Sequence, residues 1–271
     1  AFDAIHLPEH SRLREAVVIS NPLGEDTSIM RTTALPSVME NIARNYHARA
    51  AECAVFEDAT VYLPQGGPDV LPDEREQVVI AAYGERYHYL ALKGILEQWL
   101  SCAGVKEVRF ERNSDGGAYH PGRCADIYAG DEKLGVIGEI HPVVLENYDV
   151  KPRVVAAEID MEVLFAHRGG TAVFQPLPKH PAITRDLALV AAMDVPAAEI
   201  ASRIEAGVGK ILESLTLFDV YTGEHIEQGK KSLAYNLVLR AADRTLTDEE
   251  AENAVRKVLK NLAEIDVVLR S

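Results

Sequence analysis

From Leu35 onward the apolar residues Leu35, Val38, Met39, Ile42 and Tyr46 recur every three or four positions. That spacing places them along one side of an α-helix, predicted over residues 35–49. Pro36 suits its first turn, where a missing N–H costs no intrahelical bond. A second helix is predicted from Tyr87 to Ala103, with Leu92, Ile95, Leu96, Trp99 and Leu100 on one face. Gly104 follows at the position where a helix end favours glycine. Shorter apolar runs read as strands at Cys53–Phe56, Val78–Ala82, Val105–Phe110, Ala125–Tyr128, Leu134–Ile140 and Val154–Ile159. Gly and Asp turns separate several of them, as antiparallel strands require. Residues 64–76 are rich in Pro, Gly, Asp and Glu and are predicted to form a loop. Two long helices beside a many-stranded sheet indicate an α+β fold.

His167, Gly169, Gly170, Pro176, Pro178 and Pro181 crowd the next stretch. Such a segment suits a domain boundary, so domains of 1–170 and 171–271 are predicted. Beyond it the pattern is compact. A strand at Ile183–Val190 precedes a helix at Pro196–Val208 with Ile200, Ile204 and Val208 on one face. Strands follow at Leu215–Tyr221 and Ser232–Arg240, with Gly223 and Gly229 in the turn between them. Thr247 and Glu250 have capping-box spacing ahead of a helix to Leu262. A last strand is predicted at Ile265–Leu269. The order βαββαβ is that of a ferredoxin-like domain, whose sheet keeps one face free of helices. RNA-recognition modules stack bases on such a face.

The formal charge of −14 over 271 residues, taken alone, argues against nucleic acid as a ligand, since contacts to its phosphates need Lys and Arg. Residues 171–271 hold 12 basic and 15 acidic side chains, so the excess is concentrated in the first domain. An RNA contact is therefore expected in the last hundred residues. Cys53, Cys102 and Cys124 lie far apart, as reduced thiols of a cytosolic protein would. The nine histidines form no HExxH pair. No apolar run reaches the ~18–20 residues of a membrane span. No signal peptide is visible, and a first residue other than Met suggests a fragment or a processed chain.

Several short motifs now become recognisable by their order. Asn21-Pro22-Leu23 leads to Met30-Arg31-Thr32-Thr33 and Leu35-Pro36, then to Asn45 and Val55-Phe56-Glu57. Lys93-Gly94 falls in the second helix. His120-Pro121-Gly122-Arg123 is followed by Gly135 and by Gly138-Glu139-Ile140-His141-Pro142. The last domain carries Pro181-Ala182, Arg185-Asp186-Leu187-Ala188-Leu189, Leu217-Phe218-Asp219-Val220-Tyr221, Gly229-Lys230-Lys231-Ser232-Leu233 and Arg244-Thr245-Leu246-Thr247-Asp248. In this order and spacing the chain resembles the β-subunit family of bacterial-type phenylalanyl-tRNA synthetases over almost its whole length. The resemblance implies a class II synthetase-like antiparallel sheet module without catalytic function, followed by a ferredoxin-fold anticodon-binding domain. It further implies a catalytic α subunit as partner in an α2β2 heterotetramer, tRNA(Phe) as ligand, and a cytoplasmic location. ATP and Mg are expected at the α subunit, and no cofactor or metal on this chain. On the same resemblance, the N-terminal tRNA-binding and editing parts of the longer family members are not represented in these residues, and no editing activity is expected of them.

The residues themselves leave alternatives. Arg109-Phe110-Glu111 has the form of a class II ATP motif, yet no convincing second Arg follows, so no catalytic residue is expected. Gly207-Val208-Gly209-Lys210 lacks P-loop spacing, with Ile204 and Ile211 at positions that need Gly and Ser or Thr. His120-Pro121-Gly122-Arg123 reads as a turn or as a remnant of a polar pocket. The stripe of helix 35–49 reads as core, or, on the resemblance, as subunit interface with Met39 and Tyr46 as anchors. Asp219 and Tyr221 alternate with Phe218 and Val220 and should share a sheet face. The resemblance implies that Asp219, Tyr221 and Ser232 face the anticodon. Lys230, Lys231, Arg240 and Arg244 are the local candidates for phosphate contacts. A free-standing synthetase-like interaction or regulatory protein is the other functional reading.

Overall fold

The computed structural model describes residues 1–67, 70–115, 117–170, 174 and 176–270. It divides into two compact units, Ala1–Ala172 and Val173–Ser271. Among the described residues no helix is long and apolar enough to cross a membrane.

The first unit is built on helix α1 (Leu35–His47), strands β1 (Cys53–Leu63) and β2 (Asp73–Tyr83), and helix α2 (Tyr89–Cys102). Strands β3 (Val108–Arg112), β4 (Tyr119–Ala129) and β5 (Glu132–Ile140) follow, then α3 (Pro142–Asn147), β6 (Val154–Asp160) and α4 (Met161–His167). The strands form one antiparallel sheet in the order β1-β2-β6-β5-β4-β3. Strand alternation splits its core in two. On one face α1 packs Leu35, Val38, Met39 and Ile42 against Val79, Ala81 and Ala156. On the other, α2 packs Leu92, Leu96 and Leu100 against Ala82, Val155 and Ala157.

Three expectations change. The loop predicted over 64–76 is shorter, because Asp73–Glu76 continue β2 against β1, with Leu63 opposite Asp73. Charged strand ends persist there because Arg75 bridges Asp73 at 2.6 Å and Asp160 at 3.2 Å. The face of α2 is also wider than its cover: Ile95 is 49% exposed. It borders an open apolar groove with Phe56, Val78, Ile80 and Trp99, and Phe56, on edge strand β1, is 75% exposed. Third, Met39 is wholly buried in the core of its own unit, so it presents no surface to a partner. Tyr46 is partly buried, edge-on to Tyr83 with ring centroids 6.1 Å apart. The stripe of α1 is core.

A polar cluster fixes where α1 begins. Glu158, on β6, accepts hydrogen bonds from Thr33 Oγ1 at 2.6 Å, Tyr119 OH at 2.9 Å and Gln77 Nε2 at 3.1 Å. Gln77 Oε1 takes the N–H of Ala34 at 2.9 Å, and Thr33 Oγ1 that of Leu35 at 3.1 Å. Two of the donors a helix start leaves unpaired are thereby satisfied. Burial raises the Glu158 pKa, and the three donors pull the other way.

The second unit contains β7 (Ile183–Ala192), α5 (Ala197–Val208), β8 (Leu212–Tyr221), β9 (Lys230–Leu239), α6 (Asp248–Ala263) and β10 (Val268–Leu269). Its antiparallel sheet runs β10-β7-β9-β8, the ferredoxin-like arrangement. Helices α5 and α6 cover one face with Ile200, Ile204, Val258 and Leu262 against Leu189, Leu233, Leu237 and Leu239. The capping box at Thr247 and Glu250 is formed. Gly207 permits the helices to cross closely, since a Cβ there would meet the Val258 backbone at 2.9 Å.

Glu158→Ala should destabilise the first unit by about 3 kcal/mol, because it strips the acceptor from donors under α1. Glu158→Gln should keep most of the stability. Since folding raises the Glu158 pKa, its contribution is full in acid and is lost as pH rises through the folded value. The balance should therefore shift towards the Gln variant as pH rises above the ordinary carboxylate range, read by urea denaturation at each pH.

Candidate nucleic-acid interface

The uncovered face of the second sheet is where alternation and register direct the sequence-selected side chains. Strand β8 pairs with β9 so that Asp219 lies opposite Ala234 and Tyr221 opposite Ser232. A register shift between Leu217 and Asp219 lets Phe218 bulge. On the other side of β9, Ala188 of β7 lies opposite Ala234 and Val190 opposite Ser232. The result is a floor of small side chains, Ala188 and Ala234, edged by Asp219 and Tyr221. Asp219 is exposed and has no hydrogen bond or ion pair among the described residues.

Tyr221 is held in place from two sides. Its hydroxyl lies 3.5 Å from the Glu224 carbonyl, and a Cβ on Gly223 would collide with that hydroxyl at 2.5 Å. Arg270 reaches from the end of β10 to within 5.6 Å of the Tyr221 ring centroid, a cation–π contact. Because β10 and β8 are the outer strands, this pair spans the sheet beside Ser232. Ser232 points to the open face, yet it is only 3% exposed. Arg270 was missed in the sequence because a single charge in the last turn of a chain carries no pattern. Strand parity with Val268 is the signal that places it on this face.

The four cations expected to contact phosphate all have partners inside the unit. Lys231 lies on the opposite parity from Ser232, and its Nζ donates to the carbonyls of Met193 at 3.1 Å and Val195 at 2.6 Å. Lys230 pairs with Glu227 at 2.7 Å. Arg240 binds Glu213 at 2.6 Å and the His180 carbonyl. Arg244 pairs with Asp243 at 3.1 Å and Glu250 at 2.5 Å. The Glu250 carboxyl is held below its usual range by the Thr247 backbone N–H and by Arg244. On the covered face, burial pushes the Tyr235 hydroxyl up to about 12, and it donates to the Ala197 carbonyl at 2.9 Å.

Residues 178–270 match the ferredoxin-fold anticodon binding domain, and residues 1–161 the phenylalanyl tRNA synthetase beta chain CLM domain. The chain belongs to the phenylalanyl-tRNA synthetase β-chain family. Among curated members it is 44% identical over 261 residues to the phenylalanine–tRNA ligase β subunit of Clostridium tetani, and 42% over 264 residues to that of Clostridium acetobutylicum. It is 40% identical over 275 residues to that of Symbiobacterium thermophilum. These alignments take in 96%, 97% and 96% of the chain but only 33%, 33% and 31% of those β subunits. The chain thus spans about a third of the length of the family members it matches. A crystal structure of pyrrolysyl-tRNA synthetase from Desulfitobacterium hafniense overlays with a TM-score of 0.48 at 17% identity, over 60% of this chain and 56% of that one. That overlay is too loose to bear on function.

In this β-chain relative the two lysines of the β9 entry should behave differently. Lys231→Ala should lower the stability of the second unit by about 1 kcal/mol, as two backbone carbonyls lose a charged donor. Lys230→Ala should stay within about 0.5 kcal/mol, because its pair with Glu227 is open to solvent. Urea denaturation of both variants separates the structural lysine from the exposed one.

Proposed function

We propose that the chain is the anticodon-reading and scaffolding part of a phenylalanine–tRNA ligase β subunit. The observation that carries this reading is the unpaired Asp219 carboxylate beside Tyr221, at the edge of a floor of small side chains. Phenylalanine tRNA presents guanine as its first anticodon base. The Watson–Crick edge of guanine offers two adjacent donors, and a carboxylate supplies the matching pair of acceptors. Tyr221 provides the stacking surface, worth roughly 1–3 kcal/mol per base. Ser232 supplies a hydroxyl to the base or ribose from the neighbouring strand.

The first unit serves in this reading as a non-catalytic synthetase-like module that docks on the catalytic α subunit of an α2β2 assembly in the cytoplasm. ATP and Mg bind at the α subunit. In support, Arg109 of the Arg-x-Glu triplet lies on edge strand β3, with its guanidinium donating to the Gly130 carbonyl at 2.5 Å. Glu111 is 3.5 Å away on the same strand. Since Met39 is core, contact with the α subunit through α1 falls to its exposed side, Glu40, Arg44 and His47.

Asp219→Ala in the assembled ligase should relax discrimination at the first anticodon base by about 1–3 kcal/mol, the worth of a bidentate side chain–base pair. Tyr221→Ala should weaken tRNA binding with less loss of selectivity. Charging efficiency is compared for the natural tRNA and one altered only at that base. An unchanged ratio in Asp219→Ala rules out the carboxylate as reader.

A further inference from the structure

Two motifs singled out in the sequence play no part in reading an anticodon, and the fold brings them together. Tyr119 pairs with Ile140 across β4 and β5, after which the ladder is broken until Cys124 meets Gly138. Residues 120–123 arch out of the break. The N–H of His141 donates to the Ala118 carbonyl at 2.8 Å, so His120 and His141 sit side by side with ring centroids 6.4 Å apart. A third imidazole arrives from the start of the chain. His6 stacks on His141 at 5.2 Å, with 26° between the rings. Its φ of 53° lies in the left-handed region, which a non-glycine residue occupies at a cost. His6, His141, Arg14 and Tyr119 border a cleft of about 450 Å³.

Hydrogen bonding fixes what these rings present. His120 Nδ1 accepts the Gly122 N–H at 3.0 Å, and His141 Nδ1 accepts that of Val143 at 3.2 Å. A neutral ring that accepts at Nδ1 carries its proton on Nε2. Both rings therefore direct a donor away from the backbone, whereas a metal ion needs a free lone pair there. Neither Nε2 has a protein acceptor among the described residues. Arg14 adds to the set. Its Nε and Nη2 are committed to the Leu7 and Pro8 carbonyls and to Asp3, which leaves Nη1 with its protons. The other charged groups at the cleft are Glu9 and Asp115, both exposed. Asp3 is neutralised by Arg14 at 2.7 Å, and Tyr119 gives its hydroxyl to Glu158. Desolvation, then His6 and His120, lower the His141 pKa. A positive charge on this stack is therefore costly until a counter-charge arrives.

We propose that this cleft in the first unit binds a small oxyanion, a phosphate or a carboxylate, through the ring N–H groups of His141 and His6 and the free Nη1 of Arg14, with His120 flanking. Imidazoles gain charge in mildly acid solution, so binding tightens as pH falls.

The test titrates the whole chain with sodium phosphate or sodium acetate at matched ionic strength, following the histidine ring protons by NMR. At pH ~5.5 at least one anion should move the His6 and His141 signals, with an apparent affinity about tenfold or more above that at pH ~8. A response to phosphate alone identifies a phosphoryl ligand, and a response to acetate alone a carboxylate. His6→Ala removes an exposed ring and should abolish the response of His141. His141→Asn keeps an acceptor for the Val143 N–H, so the fold survives a change that should abolish the response of His6. If neither anion moves these signals more than chloride does, or if the shifts persist in both variants, the cleft is not an oxyanion site.

Discussion

Glu158 sits on β6 and is approached by three donors from distant parts of the chain: Thr33 ahead of α1, Gln77 on β2 and Tyr119 on β4. A carboxylate in that position is costly without partners, and each partner would be a stranded donor without it. The cluster therefore forms whole or not at all. It ties the entry of α1 to three strands and so sets how the Leu35–Ile42 stripe meets the sheet. Tyr119, held from below by Glu158, is also the residue after which the β4–β5 ladder breaks. The placement of His120 and His141 follows from that anchor.

The second unit relies on an economy of a different kind. Its sheet keeps one face clear of helices, and that face is floored with alanine. Lys230, Lys231, Arg240 and Arg244 are tied to acidic side chains or backbone carbonyls of the same unit. On the proposed reading, recognition comes from one unpaired carboxylate and one ring, while long-range attraction to phosphate is small. Such a reader contributes selectivity, and strength of tRNA binding has to come from elsewhere in the assembly.

Much of this was legible in the sequence wherever a period ran long enough. Helix α1, helix α6 with its capping box, and the βαββαβ order came from repeats of 3.6 or 2 and from turn residues. The resemblance, resting on many short motifs in order, led to the family. What stayed hidden was of three kinds. Charge masked the first half of β2, where Arg75 pairs with Asp73 on its own strand and with Asp160 on β6, which no local pattern announces. Helices α3 and α4, of 6 and 7 residues, are too short to show a period. And exposure could not be read from parity alone: Ser232 points where alternation sends it, yet it is only 3% exposed. Met39 shows the same limit, since an apolar stripe looks alike whether it faces a partner or its own sheet.

Edge strand β1 has a bearing on how the chain behaves in the test tube. Tyr62 donates to the Arg31 carbonyl and Arg31 covers that of Thr60, but among the described residues no such hydrogen bond caps the outer edge of the stretch before them. Phe56 stands there in solvent beside an apolar groove. An unprotected, apolar edge is a template for strands from other molecules. Shelf life should thus fall steeply with concentration, with loss through ordered β-aggregates that seed further loss. A single lysine at position 56 would act as a gatekeeper against it, leaving the fold of either unit untouched.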